Sequence, residues 1–206
     1  MTTIAPYDLA YQEWTTDAGS QNLIDIWKAG DAKLHEEATA GGLLAMFCPD
    51  AKRVVDLGCG PGRFVPVVFE YLPKATKYAG YDISERLLAE ALKDFGSRPG
   101  VTFEYRDIFD GAPYQARNRP DVLLSIDTCR HYHDPMGLLK AVVELWPAKA
   151  YVFSVLYGAP AELINGQVVG HDKMAAGLAE CGEVLGYQEI VLEPGMTVRY
   201  VVVKGA

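Results

Sequence analysis

Between residues 52 and 203, short runs rich in Val, Ile and Tyr alternate with segments of helical period, and this alternation admits few folds. Strands that each feed a helix pack as βαβ units, which gives an α/β fold with a mostly parallel sheet and helices on both faces. Strands are expected at about 52–57, 77–82, 101–105, 121–126, 149–156, 187–193 and 197–203, with helices at 62–71, 84–95, 135–146 and 171–182. Ser84 stands where an N-cap is needed, Pro135 suits a first helical turn, and Gly96 follows a helix end. Only Glu193-Pro194-Gly195-Met196 separates the last two strands. A link so short makes an antiparallel hairpin, because a parallel crossover needs a dozen residues. Ahead of the first strand, residues 20–47 read as one long helix or two shorter ones, with Gly41-Gly42 as the expected break.

A chain of 206 residues with 50% apolar and 22% charged side chains is sized and composed for one globular domain. The expected division is an N-terminal helical lid over 1–50 and a core over 51–206 that carries a small insertion at 157–171. Nineteen Lys and Arg against 27 Asp and Glu leave −8, a field that repels polyphosphates and anionic membranes. Nucleic acid and membrane are therefore not expected partners. Cys48, Cys59, Cys129 and Cys181 lack C-x-x-C spacing and lie in or beside apolar stretches, as buried free thiols do. No basic stretch followed by an apolar one opens the chain, and no apolar run reaches the roughly 18 residues of a membrane span. A cytoplasmic location is the expectation.

The clearest chemical signal is Val54-Val55-Asp56-Leu57-Gly58-Cys59-Gly60-Pro61-Gly62-Arg63-Phe64, at the junction of the first strand with the next helix. Glycines there let the backbone turn sharply and approach a ligand where a Cβ would clash, although a tight turn without a ligand would also use them. The dinucleotide fingerprint G-x-G-x-x-G would need glycine at position 63, where Arg63 stands, and the phosphate loop G-x-x-x-x-G-K-[ST] is absent. What remains, D-x-G-x-G-x-G, resembles motif I of the class I S-adenosylmethionine-dependent methyltransferases.

Two carboxylates follow in order. Asp82, in Tyr81-Asp82-Ile83-Ser84, ends the second strand 26 residues beyond Asp56, where an acid can accept both ribose hydroxyl hydrogen bonds. Asp107, in Arg106-Asp107-Ile108, follows the third strand and can accept from an exocyclic adenine amine, with Ile83 and Ile108 as apolar plates on the ring. An N-cap or a plain loop acid is the alternative for each. The resemblance covers about 52–203 and implies a seven-stranded sheet of order 3-2-1-4-5-7-6 with strand 7 antiparallel. It also implies S-adenosylmethionine as cofactor, S-adenosylhomocysteine as product, and Asp56, Gly58, Cys59, Gly60, Gly62, Asp82, Ile83, Asp107, Ile108, Ser125 and Asp127 along the cofactor.

The reacting end falls after the fourth strand, in Ser125-Ile126-Asp127-Thr128-Cys129-Arg130-His131-Tyr132-His133-Asp134-Pro135. The segment from His131 to Pro135 looks like the ending found in small-molecule members of the family, which places His131 near the methyl group. Histidine, with an unperturbed pKa of about 6.5, can take a proton from an alcohol, phenol or ammonium acceptor; packing or capping the loop is its other reading. Two loop histidines and one acid do not complete a metal shell, so no metal is expected. Asn-Pro-Pro-[Tyr/Phe], the motif that holds a nucleobase amine, is replaced by Ser-Ile-Asp-Thr.

Tyr11 and Trp14 in the N-terminal segment, Tyr132, and Tyr157 and His171 around the insertion are the candidate acceptor-binding residues. Aromatics with a polar tip suit a closed pocket for a modest, partly apolar molecule. Asn165-Gly166 suggests a small hairpin there. The function expected is methyl transfer from S-adenosylmethionine to an N or O atom of a small molecule by in-line displacement, in a chain that could pair as a homodimer. A non-catalytic sensor of the cofactor or its product, and a protein methyltransferase, are the alternatives.

Overall fold

The strand-to-helix alternation folds into seven strands and six α-helices in the computed structural model, which describes residues 16–28, 34–132, 134–158, 170–193 and 196–205. Helices α1 (Asp17–Lys28) and α2 (Leu34–Phe47) precede the sheet. Then come β1 (Arg53–Leu57), α3 (Phe64–Tyr71), β2 (Lys77–Asp82), α4 (Glu85–Phe95), β3 (Val101–Tyr105), β4 (Val122–Ser125), α5 (Pro135–Leu145), β5 (Ala150–Gly158), α6 (His171–Cys181), β6 (Glu183–Glu193) and β7 (Met196–Lys204). The order across the sheet is β3-β2-β1-β4-β5-β7-β6. The first five strands run parallel, and β7 runs antiparallel to both β5 and β6. This is the order that the family resemblance implies and the antiparallel hairpin that the short 193–196 link predicts.

Period-two side-chain alternation sorts the sheet into two buried faces. Val54, Tyr78, Val122 and Val152 pack with Leu43 and Leu44 of α2 and Val65 and Val68 of α3. Val55, Leu123, Phe153 and Val201 pack with Leu139 and Val142 of α5 and Met174 and Leu178 of α6. Ser84 caps α4 by accepting the Leu87 N–H at 3.4 Å, and Pro135 occupies the first turn of α5, as their positions in the sequence indicate.

Two boundaries differ from expectation. Gly41-Gly42 does not break the N-terminal helix; α2 runs unbroken through both. The reason is packing: a Cβ on Gly41 would lie 2.5 Å from the Tyr71 ring, so the glycine lets α2 lie close against α3. The strand expected at 187 starts at Glu183. Gly182, with φ of 145°, passes the chain straight from α6 into β6 beside the Lys204 carbonyl, where a Cβ would lie at 2.7 Å. The hairpin expected at Asn165-Gly166 and the turn at Pro194-Gly195 lie outside the described residues.

The two adjacent glycines of α2 make a paired test, because nothing stands within 4 Å of a Cβ on Gly42. Gly42→Ala is expected to raise stability by up to about 1 kcal/mol through helix propensity. Gly41→Ala is expected to lower it by about 1–3 kcal/mol through overpacking against Tyr71. Urea unfolding of both variants checks the opposite signs.

Candidate active site

The glycine loop is an extension of the β1–β2 pairing. Beyond the last ladder residues, the Tyr81 carbonyl accepts the Gly58 N–H at 2.8 Å and the Cys59 N–H at 3.1 Å. Gly58, Gly60 and Gly62 all have positive φ (71°, 52° and 79°), a conformation that other residues rarely adopt. The three glycines nevertheless serve different ends. A Cβ on Gly58 would lie 2.5 Å from Thr128 Oγ1, so Gly58 admits the β4 exit turn. A Cβ on Gly62 would lie 3.0 Å from Phe103 and Phe95, so Gly62 lets α3 pack against β3 and α4.

Asp82 ends β2 and closes the loop from the other side. One carboxylate oxygen accepts the Gly60 N–H at 2.8 Å and the other accepts the Ser84 N–H at 2.8 Å. The two carboxylate oxygens offer about four acceptor sites between them, and with the Ile83 N–H also directed at the group, acceptor capacity remains for a hydroxyl. Burial pushes the Asp82 carboxyl up, and the N–H groups of Ser84, Gly60 and Ile83 pull it back. Asp107 accepts the Phe109 N–H at 2.8 Å and caps the 3₁₀ turn Ile108–Asp110. Ile83 is half-buried and Ile108 is buried.

Asp56 and Cys59 lie behind the loop rather than on its open side. Asp56 is 1% exposed and accepts a hydrogen bond from the Tyr78 hydroxyl. Burial, with the nearby Asp82 charge, raises its carboxyl to about 7, against the lowering effects of Tyr78 and Arg63. The Cys59 side chain packs onto Gly80, where a Cβ would meet Sγ at 2.8 Å, and burial next to Asp82 and Asp56 keeps its thiol protonated. Both side chains are buried and support the loop.

At the end of β4 the backbone is strained. Asp127 has φ of 63°, the one non-glycine residue of positive φ among the described residues. Asp tolerates this region better than most residues, and such strain persists only where neighbours hold it. Ser154 of β5 holds it: its Oγ accepts the Asp127 N–H at 2.6 Å, and its carbonyl accepts the Cys129 thiol at 2.8 Å. Thr128 then ties this turn to β1, with Oγ1 donating to the Leu57 carbonyl at 3.0 Å and placed 3.2 Å from the Ile126 carbonyl. His131 closes the short 3₁₀ turn Cys129–His131, its N–H donating to the Thr128 carbonyl at 3.1 Å. Tyr132 follows, half-buried, its ring 6.1 Å from that of Phe109. The Ser125 hydroxyl is buried without a hydrogen-bond partner among the described residues.

The structure thus brings Gly58, Gly60, Asp82, Asp127 and His131 to the carboxyl ends of adjacent parallel strands. Tyr157 lies at the carboxyl end of β5, its hydroxyl donating to Glu189 of β6 at 2.6 Å and its ring facing Arg199 of β7. Tyr11, Trp14 and His133 lie outside the described residues, and the His171 side chain is likewise undescribed at the start of α6. Two supports escaped the sequence reading. Arg63, the residue that breaks the dinucleotide fingerprint, bonds Glu36 at 3.0 Å and Glu37 at 2.7 Å, which fastens α2 to the loop. Ser20 of α1 meets the Ser84 hydroxyl at 2.9 Å in a buried contact, one residue pair away from Asp82. Neither could be found by local spacing, since each joins segments far apart in the chain.

A mostly parallel sheet with a glycine loop after β1, an acid after β2 and a strained turn after β4 defines a class of nucleoside-binding α/β proteins. Within it, the family described as "Methyltransferase domain" matches residues 49–185, and the chain belongs to that family. A trans-aconitate 2-methyltransferase of Variovorax paradoxus is 41% identical over 75 residues, 36% of this chain and 27% of that protein. A second, from Acidovorax sp., is 39% identical over 77 residues, again 27% of that protein's length. The matched segment thus spans about a quarter of these curated relatives. Among solved structures, a putative methyltransferase of Haloferax volcanii in complex with its Trm112 activator superposes with TM-score 0.67 at 18% identity, covering 97% of this chain and 99% of that one. Magnesium protoporphyrin IX methyltransferase of Synechocystis with bound S-adenosylhomocysteine gives 0.61 at 15% identity, covering 97% and 89%. Likeness at these identities is likeness of fold.

The buried Asp56 supplies a stability test. Its folded-state value of about 7 lies above the usual 3.8, so the folded protein keeps a proton that the unfolded chain gives up between those values. That contribution to stability is present at low pH and is lost as pH rises toward 7. Urea unfolding from pH 5 to 8 should show wild type losing stability relative to Asp56→Asn; parallel profiles would remove the proton from Asp56.

Proposed function

We propose that this chain transfers the methyl group of S-adenosylmethionine to an N or O atom of a small molecule by in-line displacement. The observation that carries this reading is the junction of two turns, the β1 glycine loop and the strained β4 exit, through the Thr128 hydroxyl. The residues present fit the cofactor: Gly60, at positive φ, presents backbone without a side chain, Asp82 retains acceptor capacity for a ribose, and Ile83 with Ile108 offers apolar contact for adenine. Bound there, S-adenosylmethionine supplies an electrophilic methyl group on a sulfonium.

The chain's own work is then alignment and exclusion of water. Well-oriented reactions of this kind reach effective molarities of about 10⁵–10⁸ M, so positioning alone accounts for much of the rate. Cys129, Ile126 and Met136 are buried around the β4 exit and keep that side dry. Asp127 places negative charge beside a cationic ligand, in a conformation that Ser154 maintains. His131, in the turn that follows, takes the acceptor's proton where the acceptor is protonated. The curated relatives are named for trans-aconitate, which supports a small-molecule acceptor. We further propose that α1 and α2 act as a lid, pinned through Ser20–Ser84 and Arg63–Glu36 to the two parts of the cofactor site.

Calorimetry with S-adenosylhomocysteine, followed by product analysis with a metabolite panel, tests the whole reading; saturable binding with no methylated product would favour a sensor. Asp82→Ala is expected to weaken S-adenosylhomocysteine by several kcal/mol, on the order of two charge-assisted hydrogen bonds at about 1.5–3 kcal/mol each. His131→Asn is expected to lower turnover about 10²-fold or more with near-normal cofactor affinity. Near-normal turnover at every pH would leave His131 a purely structural part of its turn.

A further inference from the structure

The connection from β3 to β4 crosses the sheet face opposite α2 and α3 and contains two 3₁₀ turns, Ile108–Asp110 and Ala116–Asn118, but no α-helix. Gly111, Pro113 and Pro120 account for this, since each interrupts helical geometry. On that face β1 and β2 are therefore roofed by loop, and a cavity of about 310 Å³ lies beneath it. This is the lower end of the size range of small-molecule pockets. Val55, Ala79 and Tyr81 line the sheet side, and Tyr114 comes from the loop. Arg53 and Lys77, partners in register at the starts of β1 and β2, line it as well. The glycine loop and Asp82 stand at the opposite ends of the same strands.

Three features suit this cavity to an anion with an apolar body. The Arg53 guanidinium is held by the carbonyls of Asn118 at 3.2 Å and Arg119 at 2.7 Å, which fix its place without cancelling its charge. Residues 112–120 carry Arg117 and Arg119 and no acid, in a chain whose net charge is −8. Asp121, the neighbouring acid, already accepts Lys149 Nζ at 2.6 Å and the N–H groups of Lys52 and Arg53. Inside the cavity wall, the Tyr114 hydroxyl is buried and has no hydrogen-bond partner among the described residues. Burial keeps that phenol protonated and hence a donor. Buried donors are seldom left unmet unless water or a ligand meets them.

We propose that this cavity is a second small-molecule site, distinct from the glycine loop, for an aromatic carboxylate: the ring lies against Val55, Ala79 and Tyr81, the carboxylate meets Arg53 and Lys77, and an acceptor on the far side takes the Tyr114 hydroxyl. A sheet floor with the short side chains Val55 and Ala79 favours a flat body. Two neighbouring cations of different shape favour a carboxylate over a neutral polar group.

The probe is 4-methoxybenzoate, titrated into the full chain and followed by the Ala79 methyl signal in carbon–proton correlation spectra. A saturable shift is expected, with dissociation constant on the order of 0.1–1 mM. Lys77→Glu should weaken binding about tenfold or more, and Tyr114→Phe by about two- to tenfold. The neutral 4-methoxybenzyl alcohol should bind more weakly than the acid, and saturating S-adenosylhomocysteine should leave the Ala79 shift in place. An Ala79 signal that does not move at about 10 mM probe overturns the proposal. So does binding that both variants leave unchanged, or that S-adenosylhomocysteine displaces. None of these readouts depends on methyl transfer, so the second site stands or falls apart from the proposed activity.

Discussion

The candidate site depends on the end of β2. The Tyr81 carbonyl receives two N–H groups of the glycine loop, and the Asp82 carboxylate receives a third. A loop with three residues of positive φ would otherwise sample many conformations, and glycine makes that freedom costly to remove. Three hydrogen bonds to a strand that is itself paired on both sides remove it. The acid expected to meet a ribose is thus also the brace of the loop beside it. Both parts of the candidate cofactor site are set by one register, Leu57 against Tyr81.

The reacting end is built on the opposite principle, strain held by neighbours. Asp127 occupies a region of backbone space that favours glycine, yet glycine would bring no charge and less rigidity. Ser154 supplies the acceptor for the Asp127 N–H from the adjacent strand, and Thr128 returns the chain to the Leu57 carbonyl. The Gly58 position and the Thr128 side chain are therefore one device: the missing Cβ makes the space that the threonine fills. Asp56 under the same loop shows the cost of support from below, since its carboxyl is pushed up to about 7 by its own burial.

How much of this was legible in the sequence follows from how local each interaction is. The antiparallel hairpin and the helix starts at Ser84 and Pro135 rest on short-range pattern, and the fold places them as read, whereas the strand order follows from the family resemblance carried by the run Asp56–Gly62, Asp82 and Asp107, and the sheet has that order. The glycines of α2 read as a break because propensity is local, whereas their role is set by Tyr71, thirty residues on. Arg63 read only as a departure from the dinucleotide motif; its carboxylate partners lie 26 and 27 residues earlier. Ser154 and Thr128 carry no motif, because hydroxyls that brace a strained turn are indistinguishable in sequence from hydroxyls in solvent. Tyr157 reads as a candidate acceptor-binding residue by its chemistry, while its partners Glu189 and Arg199, 32 and 42 residues on, are set by the pairing of β5 with β7 and β6 and leave no local trace.

The overall charge of −8 hides a polarity along the strands. At their carboxyl ends stand Asp82, Asp107 and Asp127, while the nearby cations Arg63 and Arg106 are bound to Glu36 and Glu37 and to Glu104. At their amino ends stand Lys52, Arg53, Lys77, Arg98, Arg117, Arg119 and Lys149, against Asp50 and Asp121. Net charge describes solubility and long-range field, whereas a ligand at contact distance responds to the charges within about a Debye length, roughly 8–10 Å at physiological salt. A cofactor bearing a sulfonium and an ammonium is favoured at the acidic end, and an anion at the other. The same parallel strands that align the carboxyl-end loops into one site must also align their starts, and in this chain the side chains gathered at the two edges differ in charge.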